Sequence, residues 1–286
     1  MSSVQHLIKY ANLPTLPQAI WEIRRLIDED GDLNQIADLI AQDAGLAALT
    51  LKTANCGLYG KNETLFEAIK SIGLNQIENM VLVSGVFMAL KSADSKTFDL
   101  ETFWLKSSRM AFLANMVSQR LDINRPNLVH TCALLSHIGE AILDMGLIDL
   151  RKLRQALKHN KLPVEKAQTE VLGYNHIDIT VALFNDWNLP NTLVDPIRLF
   201  TTEQAITDDI CCILQIANFY LSDMFGQYAE IDDAILQKYH WDEDSVESIR
   251  NELIPLYDTM AFQENNAQTS SHQKHSSGGK SKRSYH

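Results

Sequence analysis

The sequence predicts an all-α protein, and three observations support this fold class. Apolar residues recur every three or four positions through most of the chain, as they do on one face of an α-helix. Alternating apolar and polar residues, which are typical of half-buried strands, are nearly absent. Polar residues typical of helix starts precede several apolar stripes, and the seven prolines lie mostly at segment edges.

Two short amphipathic helices come first. Apolar stripes lie over residues 20–27 and 33–40, and Asp32 stands where the second helix would have its N-cap. An aspartate at this position accepts a hydrogen bond from a backbone N–H that has no partner within the helix. Asp32 therefore favours the start of a helix at this point of the chain.

A capping-box sequence predicts the start of another helix. Thr64 is followed three residues later by Glu67, and Gly73 is placed to end the same helix. Helical periodicity is also predicted over residues 45–55, 75–91, 100–121, 127–144, 147–159, 164–172, 176–187, 191–199, 206–225, 230–239 and 243–261.

The predicted helices form two lobes followed by a tail. The polar segment 91–97 separates an N-terminal lobe, residues 1–93, from a second lobe, residues 94–262. From Asn265 onward the chain is rich in Ser, Gln, Asn and His and holds four basic residues and no acidic one. This composition predicts a disordered basic tail over residues 263–286.

The charge balance argues against non-specific binding of nucleic acid. The chain has 25 basic and 36 acidic residues, a formal net charge of −11, and the basic tail leaves the body more acidic still. Such a surface repels polyanions at long range. One basic stretch of the body could hold an anionic ligand or an acidic partner, although a solvated helix face explains it better: Arg151, Lys152, Arg154, Lys158 and Lys161.

The apolar segments are too short to cross a membrane. The longest, residues 81–90, is interrupted by Ser84 and Gly85 and falls far below the roughly 20 residues required. The first residues lack the apolar core of a secretory signal. The four cysteines form no Cys-x-x-Cys pair and suit reduced thiols in a core. We therefore expect a soluble, cytoplasmic protein.

Candidate catalytic and DNA-binding patterns are weak. Residues 36–55 have the approximate spacing of a helix-turn-helix, but the candidate recognition helix offers one lysine and no arginine. Ser136 and His137 are adjacent in a predicted helix, where neighbouring side chains point to different faces, so we expect no nucleophile–base pair.

A metal constellation is the other candidate, formed by His130, His137, Asp144 and His176. Positions 130, 137 and 144 are seven residues apart on one predicted helix face. Seven residues separate two ligands by roughly 10 Å, too far for one ion. We therefore expect no metal and no cofactor.

Ordered sequence stretches nevertheless resemble one known family. They are LPTLP at 13–17, IADLIAQD at 36–43, LKTAN at 51–55, LFEAI at 65–69, WLKS at 104–107, LLSHIG at 134–139, and WNLP at 187–190. Over about residues 10–205, in this order, they resemble the HDOD domains (HD-related output domains) of bacterial signalling proteins. The resemblance implies a two-lobed helical fold with an N-terminal helical subdomain and a degenerate HD-like subdomain.

The resemblance also implies a lost metal site. In the HD-type phosphohydrolases, which are similar in fold, histidine and His-Asp ligands hold a metal that activates water. By this resemblance the first metal histidine falls at Lys106, and the His-Asp doublet falls at Ser136 and His137. Only His176 keeps its residue type. A lysine ammonium has no lone pair to give a metal ion.

The function that the resemblance implies is that of a non-enzymatic regulatory module in bacterial signal transduction. Such a module acts through contact with a protein partner. Two alternatives stay open at this point. One is an HD-type phosphohydrolase with a non-standard site around His130, His137 and His176. The other is a nucleotide-binding or nucleic-acid-binding regulator that uses the basic stretch 151–166.

Overall fold

The computed structural model describes residues 3–11, 16, 18–44, 46–47, 50–51, 62–91, 98–123, 125–145, 150–159 and 162–253. The chain divides into two compact units, Met1–Ile235 and Leu236–His286. Within the described ranges the regular structure is helical throughout and holds no strand, which confirms the all-α fold class.

The described α-helices range from 6 to 21 residues in length. In chain order they are α1 (Ser3–Ala11), α2 (Gln18–Asp28), α3 (Leu33–Ala41), α4 (Leu65–Ile72), α5 (Leu74–Lys91), α6 (Leu100–Arg120), α7 (Pro126–Leu135), α8 (Ile138–Asp144), α9 (Arg151–His159), α10 (Val164–Leu172), α11 (His176–Asp186), α12 (Asn191–Leu199), a 3₁₀ helix (Glu203–Thr207), α13 (Asp209–Met224) and α14 (Asp233–Lys238). Residues 243–253 of the second unit are also helical.

The predicted helix caps are present in the first helices. The Asp32 carboxylate accepts from the Asn34 backbone N–H at 3.0 Å. Thr64 and Glu67 form a reciprocal capping box, and Gly73 ends α4 with a φ of 90°. The buried faces of α2, α3 and α4 pack together into one apolar core with the start of α5. Hydrophobic periodicity and capping thus fix this part of the chain as expected.

One predicted helix is broken in the structure. Residues 127–144 form two helices, α7 and α8, because the chain turns at Ser136 and His137. The Ser136 hydroxyl lies 2.8 Å from the carbonyl oxygen of Ala133. This contact competes with the helix ladder at the turn.

Several predictions fall on residues outside the described ranges. They are most of the helix at 45–55, the junction at 92–97 and the tail at 263–286. The boundary between the two lobes stays a prediction, as does the disorder of the tail. The three described cysteines, Cys132, Cys211 and Cys212, are buried thiols, as expected for cysteines that fill a core.

No single helix among the described residues is long and apolar enough to cross a membrane. Helix α4 and the part of α5 over Ile77–Lys91 reach the required length and composition only when taken together. These two segments are bent by 111° at the break between them.

Candidate functional site

A buried polar cluster lies in the first unit, where five helices and one turn meet. We call it the His–Glu cluster. Its members are Lys106 from α6, Ser136 and His137 from the α7–α8 turn, Glu140 from α8, Glu165 and Gln168 from α10, His176 from α11, and Asn218 from α13.

A glycine lets the two central helices of the cluster touch. A Cβ atom built on Gly139 would lie 2.0 Å from the carbonyl oxygen of His176. The backbone N–H of Gly139 donates to the Thr180 hydroxyl at 2.8 Å, and this hydroxyl lies 2.9 Å from the same His176 carbonyl oxygen. The approach of α8 to the start of α11 brings His137 and Glu140 against His176.

The proton of His176 is fixed by its neighbour Gln168. The Gln168 Oε1 atom accepts from the His176 backbone N–H at 2.9 Å, so this atom is an oxygen and cannot donate. The His176 Nδ1 atom lies 2.7 Å from the same oxygen and must therefore carry the proton. In the neutral ring Nε2 keeps a bare lone pair, and it has no hydrogen-bond partner among the described residues.

Burial keeps the His176 ring neutral. Its side chain is 1% exposed, and burial lowers its pKa to about 3. The bare Nε2 faces two carboxylates, with Oε1 of Glu140 at 3.8 Å and Oε1 of Glu165 at 4.0 Å. A carboxylate oxygen of each glutamate thus lies within 4.0 Å of this bare nitrogen.

Lys106 forms an ion pair at the other oxygen of Glu140. Its Nζ atom lies 2.5 Å from Glu140 Oε2, and both side chains are largely buried. Burial raises the pKa of the Glu140 carboxyl, but the Lys106 ammonium and the neighbouring histidines together outweigh this effect and hold the pKa at about 2. Glu140 is therefore ionised at neutral pH.

A second chain of hydrogen bonds runs through His137. Asn218 donates from Nδ2 to the Glu165 carboxylate at 3.0 Å, so its oxygen faces His137 Nε2 at 3.1 Å. With this amide orientation His137 donates from Nε2, and its Nδ1 atom lies 2.7 Å from the Ser136 hydroxyl oxygen. Burial lowers the pKa of His137 to about 4, so this ring is also neutral.

The structure corrects one expectation about Ser136 and His137. Their side chains were predicted to point to different faces of a helix, and they instead touch. The reason is that both residues lie in the turn between α7 and α8. Ser136 is fully buried, and its hydroxyl hydrogen-bonds to the Nδ1 edge of the ring.

The predicted metal constellation is only partly brought together. His137 and His176 stack with ring centroids 5.0 Å apart. His130 instead contacts Asn115, with 3.0 Å between Asn115 Nδ2 and His130 Nδ1. Among the described residues, potential metal-ligating atoms of His137, Glu140 and His176 lie within 4.8 Å of one another.

Two carboxylates of the cluster, Glu140 and Glu165, were not predicted from the sequence. Each lies on a helix with other polar residues, where a charged side chain is normally solvated. The spacing of Glu140, three residues after His137, was the available signal, but the predicted continuous helix obscured it. Glu165 is far from both histidines in sequence, so only the fold reveals it.

The basic stretch lies on α9, away from these contacts. Arg151, Lys152 and Arg154 are exposed there, whereas Lys161 and the side chain of Lys158 lie outside the described residues. Anion binding by this stretch stays a prediction.

An acidic cavity of about 610 Å³ adjoins the His–Glu cluster at Glu165 and Asn218. Its described lining includes one basic residue, Lys166, which pairs with Glu230 at 3.5 Å. The acidic lining residues are Glu165, Glu203, Glu230, Asp232 and Asp233. The cavity therefore repels anions and attracts cations.

Comparison with known proteins identifies the family. The family model of the HDOD domain matches residues 13–202, about two thirds of the chain. The chain belongs to the HDOD domain family. A crystal structure of an HDOD domain protein from Geobacter sulfurreducens superposes with a TM-score of 0.67 at 19% identity, covering 89% of this chain and 94% of that one.

Two further structures share the HDOD fold. A Shewanella amazonensis SB2B protein, provisionally described as a phosphohydrolase, matches with a TM-score of 0.65 at 21% identity, over 92% of this chain and 98% of that one. A Marinobacter aquaeolei VT8 protein, provisionally described as a signal transduction protein, matches with a TM-score of 0.66 at 18% identity. The match covers 90% of this chain and 60% of that one. Likeness at these identities shows the fold alone.

A curated relative comes from Treponema pallidum (strain Nichols) and is described as an uncharacterized protein. It is 28% identical to the HDOD chain over 193 residues. The match covers 65% of this chain and 37% of that protein, so the chain spans well under half of its relative.

Proposed function

We propose that this HDOD chain is a non-catalytic output module that acts by binding a protein partner in bacterial signal transduction. The observation that carries the proposal is the ion pair between Lys106 Nζ and Glu140 Oε2, at 2.5 Å. The family resemblance gives the position of Lys106 to a metal-binding histidine. Here the same position holds a cation of the chain itself.

The electrostatics of the His–Glu cluster support a non-catalytic role. A divalent ion beside Glu140 would meet the Lys106 ammonium, and like charges repel strongly where water is excluded. His137 donates from Nε2 to Asn218, so this nitrogen offers no lone pair. The adjoining cavity is acidic, which opposes entry of a phosphate ester.

An exposed apolar patch on α5 and α6 supports partner binding. Met88 is 40% exposed and Trp104 is 42% exposed. The Trp104 ring meets Phe87 edge-on, with centroids 4.1 Å apart, which fixes its orientation. Aromatic and methionine side chains are enriched at protein interfaces. The proposal includes a cytoplasmic location, which is where a signalling partner would be met.

One observation favours a second candidate, a metal-dependent phosphohydrolase with a non-standard site. The potential ligand atoms of His137, Glu140 and His176 lie within 4.8 Å of one another, and His176 Nε2 has a free lone pair. In this candidate Glu140 would take part in place of the residues lost at positions 106 and 136.

Hydrolysis assays separate the two candidates. Protein purified without affinity metal is tested on bis(4-nitrophenyl) phosphate with added Mn²⁺, Fe²⁺, Mg²⁺ or Zn²⁺. We expect the wild-type protein and the His176→Ala variant to give the same background rate. Metal-dependent turnover that is lost in His176→Ala would overturn the non-catalytic role and establish the second candidate.

Partner binding is tested with matched surface variants. Immobilised wild-type protein, Trp104→Ser and Tyr10→Ser are exposed to a lysate of the organism that encodes the chain. Tyr10 is 78% exposed and lies on α1, so it serves as the control. We expect a partner that wild type and Tyr10→Ser retain and Trp104→Ser loses. Equal retention by all three variants would contradict the assignment of this surface.

A further inference from the structure

We propose that the acidic cavity beside the His–Glu cluster binds a small organic cation through a primary ammonium group. The ammonium group would contact three atoms of the His–Glu cluster, which are His176 Nε2, Glu140 Oε1 and Glu165 Oε1. The inference deepens the proposed function and rests on it, because a cluster that performs no catalysis is free to serve as a receptor for a signal molecule.

The buried His176 Nε2 atom has no hydrogen-bond donor among the described residues. His176 Nε2 is bare because Gln168 fixes the proton on Nδ1. It lies 3.8 Å from Glu140 Oε1 and 4.0 Å from Glu165 Oε1, and both carboxylate oxygens are acceptors when ionised. A buried acceptor without a partner is costly. A primary ammonium carries three N–H donors, one for each of these three acceptor atoms.

The charge balance favours a monovalent cation. Lys106 compensates one of the two carboxylates and uses Oε2 of Glu140, which leaves Oε1 facing His176. Both histidines are neutral, so ionised Glu165 has no counter-charge among these groups. One added positive charge makes the cluster neutral, whereas a divalent metal ion would leave an uncompensated positive charge. The missing partner is therefore a single charge with hydrogen-bond donors.

Glu165 connects the cluster to the cavity. It lines the cavity, and its carboxylate is held by Asn218 Nδ2 at 3.0 Å. A ligand ammonium that enters through the cavity would reach the cluster at this residue.

The cavity has the size and charge for such a ligand. Its volume, about 610 Å³, lies in the range of small-molecule sites. Glu203, Asp232 and Asp233 provide further carboxylates around it, so a second amino group on the ligand would also be stabilised. These features favour a diamine or a related polyamine over an anionic or neutral molecule.

Isothermal titration calorimetry with 1,4-diaminobutane tests the inference. We expect one site per chain in the wild-type protein at low ionic strength. We expect Glu165→Gln to weaken binding by about tenfold or more, because it removes a charge-assisted hydrogen bond. Glu22→Gln is the matched control, since Glu22 is exposed on α2, and it should bind as wild type does.

A rim variant guards against misfolding of Glu165→Gln. The double variant Glu203→Gln with Asp233→Asn changes two exposed cavity residues and should weaken binding while the thermal unfolding temperature is kept. Absence of diamine binding by the wild-type protein would overturn the inference. Equal binding of the neutral analogue 1,4-butanediol would also overturn it, as would equal affinity in wild type and Glu165→Gln.

A metal titration tests whether the cluster binds a metal ion instead of an ammonium group. Stoichiometric binding of Mn²⁺ or Zn²⁺ that is lost in Glu165→Gln and that excludes the diamine would assign the cluster to a metal and overturn the ammonium site. The hydrolysis assay reports independently on the proposed function. Failed diamine binding without turnover overturns the inference alone, and turnover overturns the non-catalytic role whatever the diamine does.

Discussion

Gly139 and His176 meet so closely that a Cβ atom on Gly139 would lie 2.0 Å from the His176 carbonyl oxygen and 2.8 Å from its carbonyl carbon. The clash would be with backbone, which cannot rotate away. Helices α8 and α11 therefore depend on a glycine at this crossing, and the geometry of the His–Glu cluster depends on the crossing.

Gly139→Ala should destabilise the protein by about 2 kcal/mol or more, because overpacking against backbone forces the helices apart. Urea unfolding followed by circular dichroism measures the change. Gly85→Ala is the matched control, since its Cβ would meet the Cδ1 atom of Ile20, the far end of a side chain and not backbone. An equal loss in both variants would contradict the special role of Gly139.

Lys106→Met should destabilise the protein by roughly 3 kcal/mol, because it leaves the ionised Glu140 largely buried without its counter-ion. Adding Glu140→Gln to this variant should restore part of the lost stability. A double-mutant cycle in urea measures the coupling between the two residues. Additive effects would show that the two side chains do not stabilise each other.

The free energy of unfolding should fall as the pH drops below about 6.5. His137 and His176 have an ordinary pKa of 6.5 when unfolded, but burial lowers their folded pKa to about 4 and about 3. Between these values the unfolded state binds more protons, so acid favours unfolding. Each histidine should lower the free energy of unfolding by about 2 kcal/mol at pH 5 relative to neutral pH.

Glu140 extends the same acid sensitivity to lower pH. Its folded pKa is about 2 against an ordinary 4.5, so its contribution is present above pH 4.5 and is lost as the pH falls toward 2. Glu165 acts in the opposite direction, because burial raises its folded pKa. Thermal unfolding between pH 7.5 and pH 4.5 tests the histidine effect. His176→Gln should show a shallower pH dependence, and an unchanged slope would contradict the assignment.

The two histidines of the cluster should hold their protons on opposite nitrogens. His176 donates from Nδ1 to Gln168, and His137 donates from Nε2 to Asn218. Long-range ¹H–¹⁵N NMR correlations at pH 7 distinguish these tautomers. We expect Asn218→Ala to release the preference of His137 and to leave that of His176 unchanged. The same tautomer on both rings would contradict the hydrogen-bond directions.

Much of the fold could be predicted from the sequence, because local signals specify local structure. The Asp32 cap and the Thr64–Glu67 capping box act within one helical turn, and both form as predicted. The break at Ser136 was missed because the apolar periodicity continues through it. The family resemblance predicted that position 106 lacks the usual metal ligand. The ion pair between Lys106 and Glu140, however, joins residues 34 positions apart. Such a pairing is decided by tertiary packing.

The cation beside Glu140 is part of the polypeptide. A metal ion at such a position would exchange with the medium, and its occupancy would follow the supply of metal and the presence of chelators. The Lys106 ammonium is present once in every folded chain and cannot dissociate. The ion pair itself therefore does not depend on metal supply, and on the proposed non-catalytic role we expect chelators to leave the thermal stability of the protein unchanged.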